Sequence, residues 1–311
     1  MKAARVHRPG PPSAITIDDI RVPSPGENQV LVRVRASGVG PWDALVRTGA
    51  SALGQQYPLT LGAEISGVIE KVGDKNSGFS VGDEVFGSTN ALFVDGYAEY
   101  AVAASRMLAK KPAALSHIPA AALPVCAVTA WQMLFDHAKA VEGQTVAVYG
   151  AAGNVGGYAL QFARLRGLEV LAIVHGDDAD YARNFGADRV IDLRREALED
   201  FARSADVVID AVGGPAQDKL IAMTKPGGAV ISAVTPPNAR LAAEQQVRVE
   251  FFIVDVNGAE LKTIAEMVEK RQIAAPVGAV LPLADARAAH EMMAGERPRP
   301  RGKIVLTTDP D

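Results

Sequence analysis

Apolar and charged residues alternate over residues 30–34, Val-Leu-Val-Arg-Val, with the two-residue period of a strand that buries one face. Pro23, Pro25 and Gly26 mark a turn before it. Residues 62–72 read as a second strand region punctuated at Gly67, and residues 81–87 as a turn followed by a short strand. Residues 96–102 alternate again. Short strands set off by glycine turns at regular spacing predict a partly closed antiparallel barrel.

The pattern changes near Pro112. Alanine-rich stretches predict helices over residues 118–122 and 125–138, with Pro119 and Pro124 near their starts. Apolar runs and amphipathic stretches then alternate. Strands are predicted at 146–149, 170–174, 189–191, 207–211 and 229–233. The helices between them fall at 180–185, 196–202 and 217–223. Such alternation predicts a parallel, doubly wound sheet with right-handed crossovers. A strand at 248–254, helices at 259–270 and 284–293 and a closing strand at 302–306 are expected to return to the first domain. The expected division is therefore a discontinuous barrel domain, 1–112 with 247–311, and an inserted nucleotide domain, 113–246.

One stretch organises the rest. Residues 145–161 run from a β-branched strand, through a break at Gly150 and a small-residue turn, into a helical pattern. Strand, glycine turn and helix are the setting in which a turn holds a pyrophosphate, because the helix start offers unpaired N–H groups and a positive dipole end. The fingerprint reads Ala151-x-Gly153-x-x-Gly156. Ala152, Gly153, Asn154, Val155 and Gly156 are the expected cofactor contacts. Gly153 admits the ligand to the backbone and Gly156 admits the helix to the strand.

Bulk properties narrow the field. At 311 residues the chain suits one large or two modest domains, and 48% hydrophobic residues support a sizeable core. A net charge of −4 gives no sign of nucleic-acid binding. The single cysteine, Cys126, excludes an internal disulfide and a cysteine-cluster zinc site. No apolar run approaches the ~20 residues of a membrane helix, and residues 1–12 lack a signal-peptide core. A soluble protein of a reducing compartment, the cytoplasm, is expected.

Several further segments carry a resemblance. They are Gly38-Val39-Gly40-Pro41-Trp42-Asp43, Leu61-Gly62-Ala63-Glu64-Ile65-Ser66-Gly67-Val68, Val81-Gly82-Asp83-Glu84-Val85-Phe86-Gly87, Gly96-Tyr97-Ala98-Glu99-Tyr100, Thr129-Ala130-Trp131, Phe185-Gly186-Ala187-Asp188 and Arg301-Gly302-Lys303-Ile304-Val305-Leu306. In this order, and with the glycine turn, the chain resembles the medium-chain dehydrogenase/reductase superfamily, in particular its zinc-independent quinone oxidoreductase (zeta-crystallin-like) branch. The resemblance implies an α/β protein with a GroES-like barrel domain, a Rossmann domain and an active site between them.

Zinc-dependent relatives place a Cys where this chain has Gly40 and a His where it has Ala63. With those donors missing, no catalytic zinc is expected. Glu64 is expected to brace its strand or meet a basic partner, and Cys126 to be a buried hydrophobe. Without a Lewis acid, alcohol oxidation is poorly supported. Hydride transfer to a conjugated acceptor, a quinone or an enone, stays feasible.

NAD-selective sites end the second strand with an acidic residue, and here that position is Val174. NADP(H) is therefore expected over NAD(H), with His175 and Arg194 near a 2′-phosphate and Asp177 and Asp178 opposing it. By resemblance, Arg301 and Lys303 belong to a basic segment near the cofactor. Pro41 and Thr129 approach the nicotinamide side, Val212 and Gly213 border the ribose, and Phe251, Phe252 and Val254 close over the nicotinamide. Trp42 is a candidate stacking surface for a flat acceptor, and Tyr57 and Tyr97 are candidate proton donors. A small-molecule acceptor and a homodimer joined at the edges of the nucleotide domains are the expected partners. A 2-alkenal or enoyl reductase and a low-turnover NADPH-binding sensor or structural protein are the alternatives.

Overall fold

A computed structural model describes residues 1–73 and 78–308. Before the glycine turn come eight strands: β1 (Lys2–Val6), β2 (Ile15–Asp19), β3 (Gln29–Val39), β4 (Leu59–Thr60), β5 (Glu64–Val72), β6 (Glu84–Ser88), β7 (Tyr100–Ala104) and β8 (Leu108–Lys110). Helices α1 (Pro41–Thr48), α2 (His117–Ala120) and α3 (Pro124–Trp131) accompany them. The parallel strands follow: β9 (Thr145–Tyr149), β10 (Glu169–Val174), β11 (Arg189–Asp192), β12 (Ala205–Asp210), β13 (Thr224–Ser232) and β14 (Arg248–Phe251). Between them run α4 (Asn154–Leu165), α5 (Ala179–Asn184), α6 (Gln217–Met223) and α7 (Ala239–Glu244). The chain closes with α8 (Gly258–Glu269), β15 (Val277–Pro282), α9 (Ala286–Met293) and β16 (Lys303–Thr307).

These elements form two compact units, Met1–Val125 with Asp255–Asp311, and Cys126–Val254. The first unit holds a seven-stranded sheet, β15-β16-β3-β5-β6-β8 with β7 on β3, and a three-stranded sheet, β2-β1-β4. The long strand β3 is the hinge of the larger sheet. Its first half pairs with β7 and its second half with β16, while β5 runs along the other edge. Val30, Val32 and Val34 bury one core with Ile65, Ile69 and Val85. A second core gathers Val39, Leu61, Tyr97, Leu283 and Ile304.

The second unit is a six-stranded all-parallel sheet in the order β11-β10-β9-β12-β13-β14. The first strand of the unit thus lies at its centre, and the order reverses between β9 and β12. Ligands in open parallel sheets bind beyond the carboxyl ends of the strands at such a reversal. β9 is buried throughout, as a central parallel strand should be.

Three expectations are corrected. β14 pairs in parallel with β13, so it belongs to the nucleotide unit, and the chain leaves that unit after Val254 rather than after Gln246. Apolar residues alone do not reveal which sheet an edge strand joins. The expected helix at 125–138 is α3 followed by a π-helix, Gln132–His137. Residues 196–202 form only a 3-10 turn, Leu198–Phe201, whose Leu198 and Phe201 pack into the core.

Candidate functional site

The glycine turn sits at the carboxyl end of β9. Gly150 takes φ +83, and a Cβ on it would lie 2.5 Å from Val212 Cγ2, so Val212 packs across the bare face of Gly150. That contact joins the ends of β9 and β12 at the reversal. The helix begins at Asn154. A Cβ on Gly156 would fall 2.2 Å from the Gly150 carbonyl oxygen, so only glycine lets the first turn of α4 approach the strand. Gly153 is exposed and extended (φ −78, ψ 173), with the half-buried Ala152, Asn154 and Val155 beside it. Bare backbone at the start of a 12-residue helix fits a dinucleotide pyrophosphate.

Two aspartates shape the loops on either side. Asp210, fully buried at the end of β12, accepts from Val212 N–H at 3.0 Å and Gly213 N–H at 2.7 Å through Oδ1. Its Oδ2 accepts from Gln217 Nε2 at 2.8 Å and Ser232 Oγ at 3.0 Å. The carboxylate therefore ties the Val212–Gly213 turn to the end of β13. Asp192, at the end of β11, accepts from Arg194 N–H at 3.0 Å and Gly176 N–H at 2.7 Å, and these donors hold its carboxyl below the usual range. Arg194 lays its guanidinium over Gly176, where a Cβ would stand 2.2 Å from Cζ. A weak contact of 3.9 Å links it to the exposed Asp177. Val174, 3% exposed, ends β10 without an acidic group, and His175 is exposed. A cavity of about 480 Å³ opens beside Arg194, lined in part by Leu193, Arg195, Leu198, Pro215 and Lys219.

Thr129 is buried in α3 and Val212 is exposed. Phe252 stacks on His137 at 4.0 Å, Phe251 is exposed at the end of β14, and Val254 is half-buried.

The first unit holds a buried ionic cluster. Lys303 on β16 pairs with Glu64 on β5, and Glu64 also accepts from Val125 N–H at 2.9 Å. Glu64 thus finds the basic partner expected of it. Lys303 is 1% exposed and ion-paired inside the barrel unit, while Arg301, two residues earlier, is exposed. Arg301 precedes β16, whereas Lys303 is the first residue of that strand. Asp43 on α1 accepts from Gly40 N–H and Tyr97 O–H, each at 2.8 Å. Burial drives its carboxyl up to about 6, against the lowering effect of those two donors and of Lys303. On the far side of the Tyr97 ring lies His290, edge-on at 6.1 Å, whose Nδ1 accepts from Arg47 Nε at 3.1 Å. Burial, with the nearby Arg47 charge, takes His290 down to about 3 and keeps it neutral.

Both candidate phenols are committed as donors. Tyr97 is fully buried and donates to Asp43, and Tyr57 donates to the Val46 carbonyl. Trp42 is half-buried and meets Phe93 edge-on at 5.6 Å, and Pro41 is exposed at the first position of α1. Gly40 and Ala63 carry no donor atoms. Among the described residues no group of three or more His, Cys, Asp or Glu is placed to hold a metal ion.

Asp192, Asp210 and His290 were not singled out as functional from the sequence. Asp210 and Asp192 carried a readable signal, an acidic residue closing an apolar strand just before a turn. His290 carried none, because its partner Arg47 lies 243 residues away.

Known proteins share this arrangement. The family described as "Alcohol dehydrogenase GroES-like domain" matches residues 26–113, and that described as "Zinc-binding dehydrogenase" matches residues 185–306. A quinone oxidoreductase of Mus musculus is 31% identical over 94% of this chain and 93% of its own. A 2-methylene-furan-3-one reductase of Solanum lycopersicum is 31% identical over 93% of this chain and 74% of its own. The solved quinone oxidoreductase of Coxiella burnetii superposes with a TM-score of 0.92 at 28% identity, covering 99% of each chain. A mycobacterial protein solved in complex with NADPH superposes at 0.86 with 26% identity, over 99% of this chain and 100% of its own. No helix among the described residues is long and apolar enough to cross a membrane. By its barrel, its parallel sheet with a glycine turn at the strand-order reversal, and these relatives, the chain belongs to the medium-chain dehydrogenase/reductase superfamily, as a pyridine-nucleotide oxidoreductase of the quinone reductase type.

Proposed function

We propose that the protein transfers hydride from NADPH, without a metal, to a quinone or another conjugated carbonyl acceptor. The observation that carries the cofactor choice is the group at the ends of β10 and β11. Val174 offers ribose hydroxyls no carboxylate, and Asp192 fixes the loop on which Arg194 lies over Gly176. A guanidinium there favours a phosphate over a hydroxyl. The exposed Asp177 competes for the same guanidinium at 3.9 Å, so the preference is a balance and can be measured.

The bare side chains at Gly40 and Ala63 favour an acceptor that needs no Lewis acid. A conjugated carbonyl spreads the incoming charge over its own atoms. The protein supplies orientation and a water-poor site. Trp42 is the surface on which a flat acceptor stacks, and within the nucleotide unit Thr129, Val212, Gly213, Phe251, Phe252 and Val254 flank the nicotinamide end. The partner is a second copy of the chain, joined through β14, the exposed edge of the parallel sheet. We place the protein in the cytoplasm, where its lone buried Cys126 stays reduced.

Titrating the protein with NADPH and NADH tests the cofactor choice. NADPH binds at least tenfold more tightly, and Arg194→Ala removes most of that difference while leaving NADH affinity nearly unchanged. Tighter NADH binding by the wild type overturns it. An alkenal or alkenone acceptor is the second reading, favoured by the name of an Arabidopsis thaliana relative, an NADPH-dependent alkenal/one oxidoreductase. Turnover of 2-alkenals with none of 1,4-benzoquinone selects it.

A further inference from the structure

We propose that His137 is a positioning residue for the nicotinamide end of the cofactor: it backs the ring of Phe252 and ties the edge strand β14 to the helix that carries Thr129. The inference rests on the reading above that sets Thr129, Phe252 and Val254 beside the nicotinamide, and all of its residues lie in the nucleotide unit.

Three side chains from one strand face converge on His137. Residues 248, 250 and 252 alternate with 249, 251 and 253 along β14 and its end, so they share that face. Arg248 donates through Nη2 to the His137 carbonyl oxygen at 2.7 Å and through Nη1 to Glu250 Oε2 at 2.8 Å. The other oxygen of that carboxylate, Oε1, accepts from His137 Nδ1 at 2.6 Å. A carboxylate only accepts, so the proton of this bond sits on Nδ1 and the imidazole is aimed by it. Phe252 completes the group. Its ring centre lies 4.0 Å from that of the imidazole, with the planes 29° apart. One face of the half-buried Phe252 ring is thereby occupied, and the opposite face is the one left for a ligand.

His137 is also the last residue of the π-helix Gln132–His137, which continues α3 beyond Trp131. Turns of this kind are rare and collect at functional sites. Thr129 lies upstream on the same helical run, so holding His137 against β14 also holds Thr129 at a set distance from Phe252.

The frame closes through the sheet. Phe252 N–H donates to the Ser232 carbonyl oxygen at 3.2 Å. Ser232 Oγ donates to Asp210 Oδ2 at 3.0 Å, and Asp210 Oδ1 holds the Val212 and Gly213 N–H groups. Phe252 and the Val212–Gly213 turn thus share one network, and His137 joins it to the Thr129 helix. Without His137 the Phe252 ring is free to turn, and the nicotinamide loses a fixed backing. Such a loss acts on the geometry of the reacting ring and so on kcat. Asp192 and Arg194, placed at the 2′-phosphate, are held by a separate set of bonds.

The test separates the two ends of the cofactor. NADPH and 2′,5′-ADP, which lacks the nicotinamide, are titrated against the wild type, His137→Ala, Phe252→Ala and the double variant, and kcat is measured with 1,4-benzoquinone. His137→Ala weakens NADPH binding about tenfold, keeps 2′,5′-ADP affinity within about twofold and lowers kcat about tenfold. Retained 2′,5′-ADP binding also shows that the unit is folded. Phe252→Ala does the same, and the double variant is no worse than either, because the two rings act as one unit. His137→Phe, which keeps a ring behind Phe252, recovers most of the loss. Equal weakening of both ligands, unchanged NADPH affinity and kcat in His137→Ala, or losses that add in the double variant overturn the proposal. If the wild type prefers NADH or reduces no acceptor, the proposed function fails, and titrations of the same variants with NADH against ADP still decide the role of His137.

Discussion

Glu64 on β5 and Lys303 on β16 meet across β3, and Gly38 on that strand makes the room. A Cβ on Gly38 would stand 2.9 Å from Lys303 Cε, 3.0 Å from Glu64 Oε2 and 2.5 Å from the Ala121 carbonyl oxygen. Removing one member of such a pair strands the other charge without water, at a cost of about 3–5 kcal/mol. Lys303→Met is therefore expected to destabilise the barrel unit by that amount in urea. Adding Glu64→Gln should recover most of the loss. A double variant as unstable as the single one would show that the ion pair is not the cause.

The two glycines of the turn should behave differently when given a methyl group. At Gly156 the Cβ meets a backbone oxygen at 2.2 Å, so Gly156→Ala must move α4 off β9, costing both stability and dinucleotide binding. At Gly153 the nearest atom is 3.1 Å away and the backbone is extended, so Gly153→Ala folds and loses mainly affinity. Melting curves and NADPH titrations of both variants check this. Equal losses of melting temperature would contradict it.

Stability should carry the mark of Asp43. Its pKa is raised from 3.8 to about 6, so protonated Asp43 favours the folded state. That contribution is complete below pH 3.8 and is lost as pH rises through about 6. The rise corresponds to roughly 3 kcal/mol. Asp43→Asn, which cannot ionise, is expected to gain on the wild type by about that much between pH 4 and pH 7.5, measured by urea unfolding at each pH. The same difference at both pH values would show that Asp43 does not titrate in the folded protein.

His290 should act in the opposite direction. Its depressed pKa of about 3 means that the neutral ring belongs to the folded state. The stability it confers is present above its ordinary 6.5 and falls away as pH drops toward 3. His290→Gln, uncharged throughout, should flatten the acid loss of stability between pH 6 and pH 4. An unaltered acid limb would refute this.

Much of the fold was legible because its signals are local. The β9 strand, the glycine turn and α4 are contiguous, and α6 runs over the very residues, Gln217–Met223, that the pattern marks. The edges were not legible. Whether residues 248–251 join the parallel sheet or return to the barrel depends on pairing with β13, which no local pattern encodes. The site divides in the same way. Gly150, Gly153 and Gly156 announce themselves by spacing. The partners of Asp43, Lys303 and His290 lie 54, 239 and 243 residues away, and only folding brings them together. Tyr97 illustrates the limit: its hydroxyl was visible, but the acceptor that occupies it was not.

The most direct measurement is the kcat/KM of chelator-treated protein for 1,4-benzoquinone with NADPH and with NADH. The account predicts turnover that survives the chelator, does not rise on adding zinc, and is at least tenfold more efficient with NADPH. Activity that requires added zinc, or that prefers NADH, would contradict it.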